Sequence, residues 1–235
     1  MGFDERYRRT LEEVAACCRA AGRDPREVRV VAVSKTVGID EIEAAVAAGA
    51  HDFGENRPDA LAGKRAHLPE QTWHFIGNVQ SRRIPDIVRD AALVHSLHQE
   101  RHVPRFEAAA AAAGKVQDVL LEVNVSGEQS KSGLAPADVA GMLAACEPCA
   151  HVRVRGLMTM APRGDLRTAR ACFEELARLR DGLRRGLEPG RAALFNELSM
   201  GMSEDWREGV AAGATIVRIG RALFDDAFEN GPHPA

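Results

Sequence analysis

Lys35 closes the run Arg29-Val30-Val31-Ala32-Val33-Ser34-Lys35, a β-branched, nearly continuous apolar stretch. Such a run predicts a buried parallel strand, here with a primary amine at its carboxyl end. An amine in that position is suited to forming a Schiff base with a carbonyl, and desolvation by the strand is expected to lower its pKa and favour the neutral nucleophile. Near the other terminus two strand-like runs end in Ser199-Met200-Gly201-Met202-Ser203 and Arg218-Ile219-Gly220-Arg221. Their small residues and hydroxyls are expected to expose backbone N–H groups just before helices, which is the chemistry of an anion site. If the first and last strands are neighbours, amine and anion site share one mouth. That combination suggests pyridoxal 5'-phosphate.

Other polar residues on apolar strands raise the question of their partners. Arg218 needs an acceptor, either a carboxylate or the pyridine nitrogen of a cofactor; a guanidinium facing that nitrogen would keep it unprotonated and weaken the ring as an electron sink. His74 and His95 are either satisfied core histidines or pocket lining. Asn56, Met158 and Met200 also stand at strand ends, although methionine more often packs than binds. The candidate cofactor-binding set is therefore Lys35, Asn56, His74, Met158, Ser199, Met200, Arg218, Gly220 and Arg221, with no catalytic residue and no metal ligand assigned.

Strand and helix signals alternate along the chain, and this alternation must position those ends. Tyr7, Leu11, Val14 and Cys18 have helical spacing, with Gly22 and Pro25 as a stop, so residues 1–28 form an extra N-terminal helix packed on the rest of the fold. Eight strands are expected to end near Lys35, Glu55, Gly77, Leu97, Asn124, Met158, Met200 and Ile219. Helices are expected between them, among them a long amphipathic one from Leu166 to Leu187 and one from Ser203, a credible N-cap, to Ala212. Eight such pairs point to an α/β fold, a single (β/α)8 TIM barrel spanning residues 1–235. No Gly-x-Gly-x-x-Gly follows the first strand, which argues against a dinucleotide-binding sheet.

Composition narrows the functional classes. At 235 residues and 45% hydrophobic the chain can bury one sizeable core. A formal charge of -3, with Arg scattered among Asp and Glu, gives no footprint for nucleic acid. The charged start has no apolar leader segment and no run reaches the length of a membrane span, so no membrane partner and a cytoplasmic location are expected. Five cysteines, at 17, 18, 146, 149 and 172, make an odd count that suits a reducing compartment. The lone Cys146-Glu147-Pro148-Cys149 lacks the second pair a zinc site would need.

The motifs resemble the YggS/PROSC family of pyridoxal phosphate homeostasis proteins from about Val30 to Phe224. The resemblance is carried by Ala32-Val33-Ser34-Lys35-Thr36, Phe53-Gly54-Glu55-Asn56, Trp73-His74-Phe75-Ile76-Gly77, Val123-Asn124-Val125-Ser126-Gly127-Glu128, Arg155-Gly156-Leu157-Met158, Leu198-Ser199-Met200-Gly201-Met202-Ser203 and Val217-Arg218-Ile219-Gly220, in that order. It implies a fold-type III barrel like the N-terminal part of alanine racemase. It further implies the cofactor held by Lys35 as a Schiff base, Ser199, Gly220 and Arg221 around its phosphate, and Arg218 near its ring nitrogen. The implied role is intracellular vitamin B6 homeostasis, as a carrier or buffer, monomeric, with apo-enzymes that need the cofactor as possible acceptors. The alternative is a small amino-acid racemase, against which stands the lack of a second acid/base beside Lys35, since Tyr7 is the chain's one tyrosine. Arg57-Pro58-Asp59-Ala60 and Asn78-Val79-Gln80-Ser81-Arg82-Arg83 depart from the family's usual continuations.

Overall fold

Strand formation follows the β-branched and aromatic runs, and a computed structural model describing residues 2–128 and 130–228 arranges them in a ring. The strands are β1 (Arg29–Val33), β2 (Asp52–Glu55), β3 (Thr72–Phe75), β4 (Leu93–Leu97), β5 (Gln117–Glu122), β6 (Val152–Met158), β7 (Glu197–Met202) and β8 (Ile216–Ile219). Each pairs in parallel with the next, and β8 returns to β1 with Val31 opposite Arg218 and Ala32 opposite Ile219. This closed (β/α)8 barrel therefore makes neighbours of the first and last strands, and the ends bearing Lys35 and Gly220 share one rim.

The helices are α1 (Phe3–Ala20), α2 (Ile39–Ala47), α3 (Pro58–His67), α4 (Ile84–Asp90), α5 (Val103–Ala112), α6 (Val139–Ala145), α7 (Leu166–Arg184), α8 (Pro189–Leu194), α9 (Trp206–Ala211) and α10 (Arg221–Phe224). Their starts follow local chemistry: Pro58 opens α3, and the Asp165 carboxylate accepts the Arg167 N–H at 2.9 Å to open α7. α1 turns Tyr7, Thr10, Val14 and Cys18 inward and packs against α2, α9 and α10. Two expectations change. The short α8 adds a helix in the stretch after α7, and the helix expected from Ser203 begins at Trp206, with Asp205 rather than Ser203 at its cap position.

Alternation along the strands sorts side chains into two layers. Val31, Leu93, Leu120, Met158 and Ile216 fill the inside of the ring. Phe53, Trp73, Phe75, Leu157, Leu198, Met200 and Val217 belong to the larger cluster between ring and helices. Among the described residues no helix is long and apolar enough to cross a membrane.

Candidate cofactor site

The rim is built where β1, β2, β7 and β8 end. After Val33 the chain turns sharply, the Val37 N–H donating to the Ser34 carbonyl at 3.1 Å, and this turn lifts Lys35 into solvent. Lys35 is exposed, so the expectation of an amine desolvated by its strand is corrected: the strand positions the lysine without burying it. The turn after β8 rests on β1, since a Cβ on Gly220 would lie 3.2 Å from the Val33 carbonyl oxygen. Ser203, just beyond β7, accepts the backbone N–H groups of Gly220 and Ala222, each at 3.2 Å. Two amides thus converge on one oxygen beside the end of β1. Arg221 stands exposed at the same turn with its guanidinium 2.7 Å from Glu204, and Asn56 is exposed after β2. Gly77 keeps the next loop close, as a Cβ there would fall 2.0 Å from the Asn56 carbonyl oxygen.

Below the rim a hydrogen-bonded chain crosses the barrel. Arg218 donates through Nη1 to Ser199 Oγ at 2.5 Å and through Nη2 to the Thr159 carbonyl at 3.0 Å. Ser199 Oγ lies 2.8 Å from His95 Nδ1, His95 Nε2 lies 2.9 Å from His74 Nδ1, and His74 Nε2 lies 3.0 Å from Asp52 Oδ1. Donor supply fixes the direction. With both imidazoles neutral, the carboxylate, which can only accept, sets the order: His74 donates to Asp52, His95 to His74, and Ser199, which accepts from Arg218, to His95. Every ring nitrogen is satisfied when both imidazoles are neutral. Burial, then the neighbouring His74 and Arg218, holds the His95 pKa well below its ordinary value.

Arg218 is the one charged member of this chain near the mouth. Burial brings its pKa down to about 10, opposed by the carboxylates of Asp205 and Glu122, so it stays protonated near neutrality. Asp205 is buried and its pKa is raised by that burial, although it accepts the Met202 N–H at 2.6 Å. Glu122 meets His98 at 3.1 Å and raises the imidazole's pKa through that hydrogen bond.

Several expected positions are therefore revised. Ser199 does not reach the rim: it is fully buried, with its hydroxyl hydrogen-bonded to Arg218 and His95. His74 lies inside the barrel with no exposed surface, and Met158 packs in the inner apolar layer. Met200 points the other way, into the layer between β7 and the helices. Lys35, Asn56, Gly220 and Arg221 do gather at the rim, with Arg218 just beneath. Ser203, Thr159, Asp205 and Glu122 join the site without having stood among the expected binding residues. Ser203 carried a signal, since it ends the same Ser199-Met200-Gly201-Met202-Ser203 segment two strand repeats further on.

Elsewhere, a cavity of about 340 Å³ bordered by Leu143, Cys146, Val152, Leu187 and Phe195 lies on the outer side of β6. It is lined mainly by apolar residues, with Arg153 and Arg191 among them, lies away from the strand carboxyl ends, and is lined by no lysine. Among the described residues no three His, Cys, Asp or Glu side chains gather as metal ligands would.

Comparison with known proteins agrees with this fold. The family model described as alanine racemase, N-terminal domain, matches residues 10–227. The pyridoxal phosphate homeostasis protein of Pseudomonas aeruginosa is 38% identical over 94% of each chain. That of Deinococcus radiodurans is 42% identical over 87% of this chain and 92% of its own. Among solved structures, PipY of Synechococcus elongatus with PLP bound has a TM-score of 0.77 at 32% identity, covering 91% of this chain and 99% of PipY. A protein from Bifidobacterium adolescentis superposes with a TM-score of 0.87 at 33% identity, over 94% of each chain. The D-threonine aldolase of Filomicrobium marinum, at 17% identity and a TM-score of 0.74, shares the barrel fold.

Proposed function

The chain belongs to the family of pyridoxal phosphate homeostasis proteins, and from that premise we propose that it holds pyridoxal 5'-phosphate at Lys35 and acts in vitamin B6 homeostasis as a carrier or buffer. Its relatives are named for homeostasis rather than for a turnover reaction. The observation that carries the assignment to this rim is the exposed Lys35 amine beside a turn where two backbone N–H groups already converge on the Ser203 hydroxyl. The residues fit the group: an amine for an aldehyde, and for a phosphate the Ser203 O–H, whose oxygen the Gly220 and Ala222 amides hold in place, and the Arg221 guanidinium, which could turn to it from Glu204.

When bound, the cofactor supplies an electrophilic aldehyde and, in its ring, an electron sink. The chain's own groups do the rest. Lys35 would hold the aldehyde from an exposed turn, open to an incoming amine or an acceptor. Ser203, held by the Gly220 and Ala222 amides, would orient the anionic end. Arg218, kept protonated and held by Ser199 and Thr159, would present a donor beneath the mouth, one that would favour an unprotonated ring nitrogen and so restrain carbanion chemistry.

We read residues 1–235 as one cofactor-binding unit, monomeric and cytoplasmic, with the five free cysteines in keeping with a reducing compartment. Apo-enzymes that require the cofactor are the acceptors this reading implies.

The test is reduction of the cofactor-loaded protein with borohydride followed by peptide mass mapping. The adduct is expected on the peptide containing Lys35, and Lys35→Ala should lose it. An adduct mainly on another lysine overturns the assignment.

A further inference from the structure

A buried ion pair sits directly behind the turn that carries Lys35. Lys64 reaches from α3 to Glu55, the last residue of β2, in a close charge-assisted contact, and its ammonium also donates to the Ser34 carbonyl at 2.7 Å. Glu55 Oε1 accepts the Ser34 hydroxyl at 3.0 Å, and Glu55 Oε2 lies 3.2 Å from the Asn56 backbone nitrogen. The Ser34 N–H in turn donates to the Gly54 carbonyl at 3.0 Å. Ser34 and Glu55 have no exposed surface and Lys64 is 8% exposed. Ser34 is thus held at its N–H, its carbonyl and its hydroxyl, and Lys35 is the next residue.

Stability alone gives a weak reason for this arrangement. Two charges taken out of water recover the desolvation cost only with good geometry, and well-packed apolar residues of similar volume often serve as well. What the ion pair supplies that an apolar pair cannot is direction. The ammonium grips the carbonyl of the residue before Lys35, and the carboxylate grips that residue's hydroxyl together with the start of the Asn56 loop. The two rim segments, from β1 and β2, are fastened to each other.

We propose that Lys64 and Glu55 are positioning residues: with Ser34 they form a clamp that orients the exposed Lys35 turn for attack on the cofactor's aldehyde. The proposal rests on the assignment of Lys35 as the cofactor lysine. A nucleophile on a loose turn samples many orientations, and holding it near its attack geometry raises its rate without any contact between clamp and substrate.

The test pairs Lys64→Met with Glu55→Gln in one protein, removing both charges together so that no unpaired charge is left buried. The rate of imine formation would be followed by absorbance with pyridoxal 5'-phosphate and with phosphate-free pyridoxal, and the adducts located by borohydride trapping. Amide hydrogen exchange at Val37, whose N–H is bonded to Ser34, would be measured alongside. The double variant is expected to unfold cooperatively, to form its adduct at Lys35 slower by on the order of tenfold with both aldehydes, and to exchange faster at Val37. Ser34→Ala, which spares the ion pair, should change both readouts in the same direction by less, and it carries the test if the double variant does not fold. Wild-type rates and wild-type exchange in a folded variant overturn the clamp. Failure of the underlying assignment would show differently, as an adduct away from Lys35 in the wild-type protein, and would take the clamp's purpose with it.

Discussion

The Ser203 hydroxyl accepts the backbone N–H of Gly220 at 3.2 Å, tying the end of β7 to the turn after β8. Because the Ala222 N–H converges on the same oxygen, the phosphate contact proposed above falls to Ser203 at the rim, while Ser199 is enclosed in the barrel.

Substitution of the two serines should therefore separate two functions. Ser203→Ala is expected to weaken binding of pyridoxal 5'-phosphate by on the order of tenfold while leaving phosphate-free pyridoxal little changed, as befits loss of one hydrogen bond to a charged group. Ser199→Ala leaves the Arg218 guanidinium and His95 short of a partner inside the barrel, and should lower stability by about 1–3 kcal/mol in urea denaturation. Equal effects of the two substitutions on phosphate-dependent affinity would remove the distinction.

Gly220→Val should act through β1. The added carbons would press on the Val33 carbonyl, where even a Cβ has 3.2 Å, and shift the seam that presents Lys35. Reduced affinity for both vitamers, rather than for the phosphorylated one alone, is the expected titration result.

The alternation of strands and helices was open to view in the sequence because buried parallel strands read as apolar β-branched runs, and β2, β4, β6 and β8 end at the expected residues. The facing of β7 was hidden. Leu198-Ser199-Met200-Gly201-Met202-Ser203 offers small or adaptable residues on both faces, and only the pairing of Met158 with Ser199 turns Ser199 inward and Met200 outward. Lys35 was found by its place after β1, but its exposure depends on the turn at Ser34, which no periodicity encodes. The crossing chain from Arg218 to Asp52 was illegible for a related reason: its members come from β2, β3, β4, β7 and β8, and meet only when the ring closes.

That chain predicts a pH response. His95 is neutral in the fold with its pKa well below the ordinary value, so the unfolded chain takes up a proton at this site before the folded one does. Its contribution is fully present above the unfolded pKa of about 6.5 and is lost as pH falls below it, at about 1.4 kcal/mol per pH unit for one fully differential site. Denaturation curves of the wild type and His95→Gln should converge in stability between pH 7.5 and 5.5, because the variant lacks this proton uptake. Parallel curves would contradict a neutral, locked His95.

The cysteines should be unreactive in the native state. Burial raises the thiol pKa at Cys17, Cys18, Cys149 and Cys172, and pushes that of Cys146 up to about 12, so the Cys146-Glu147-Pro148-Cys149 pair lacks a ready thiolate. Iodoacetamide at pH 8 is expected to label Cys146 more slowly, by on the order of a hundredfold or more, in native protein than in urea. Fast native labelling of Cys146 would show that β6 and α6 open readily.

Amino-acid turnover should be absent or slow. Racemisation needs an acid/base on each face of a planar carbon, and Lys35 serves one face. Tyr7, the single tyrosine, lies in α1, stacked on Phe3 at 5.5 Å, and its phenol pKa is raised by burial and by the carboxylate of Asp52, which starts β2 at the end of the barrel opposite Lys35. His74 and His95 are enclosed and committed to each other. With the cofactor placed as proposed, the Arg218 donor would further limit carbanion stabilisation. Incubating the loaded protein with L- and D-alanine in deuterated water, and following both deuteration at the α-carbon and chirality, should give at most slow deuteration without matching inversion. Racemisation at about 1 s⁻¹ or faster, the lower end of ordinary turnover, abolished by Lys35→Ala, would replace the carrier reading with that of an enzyme.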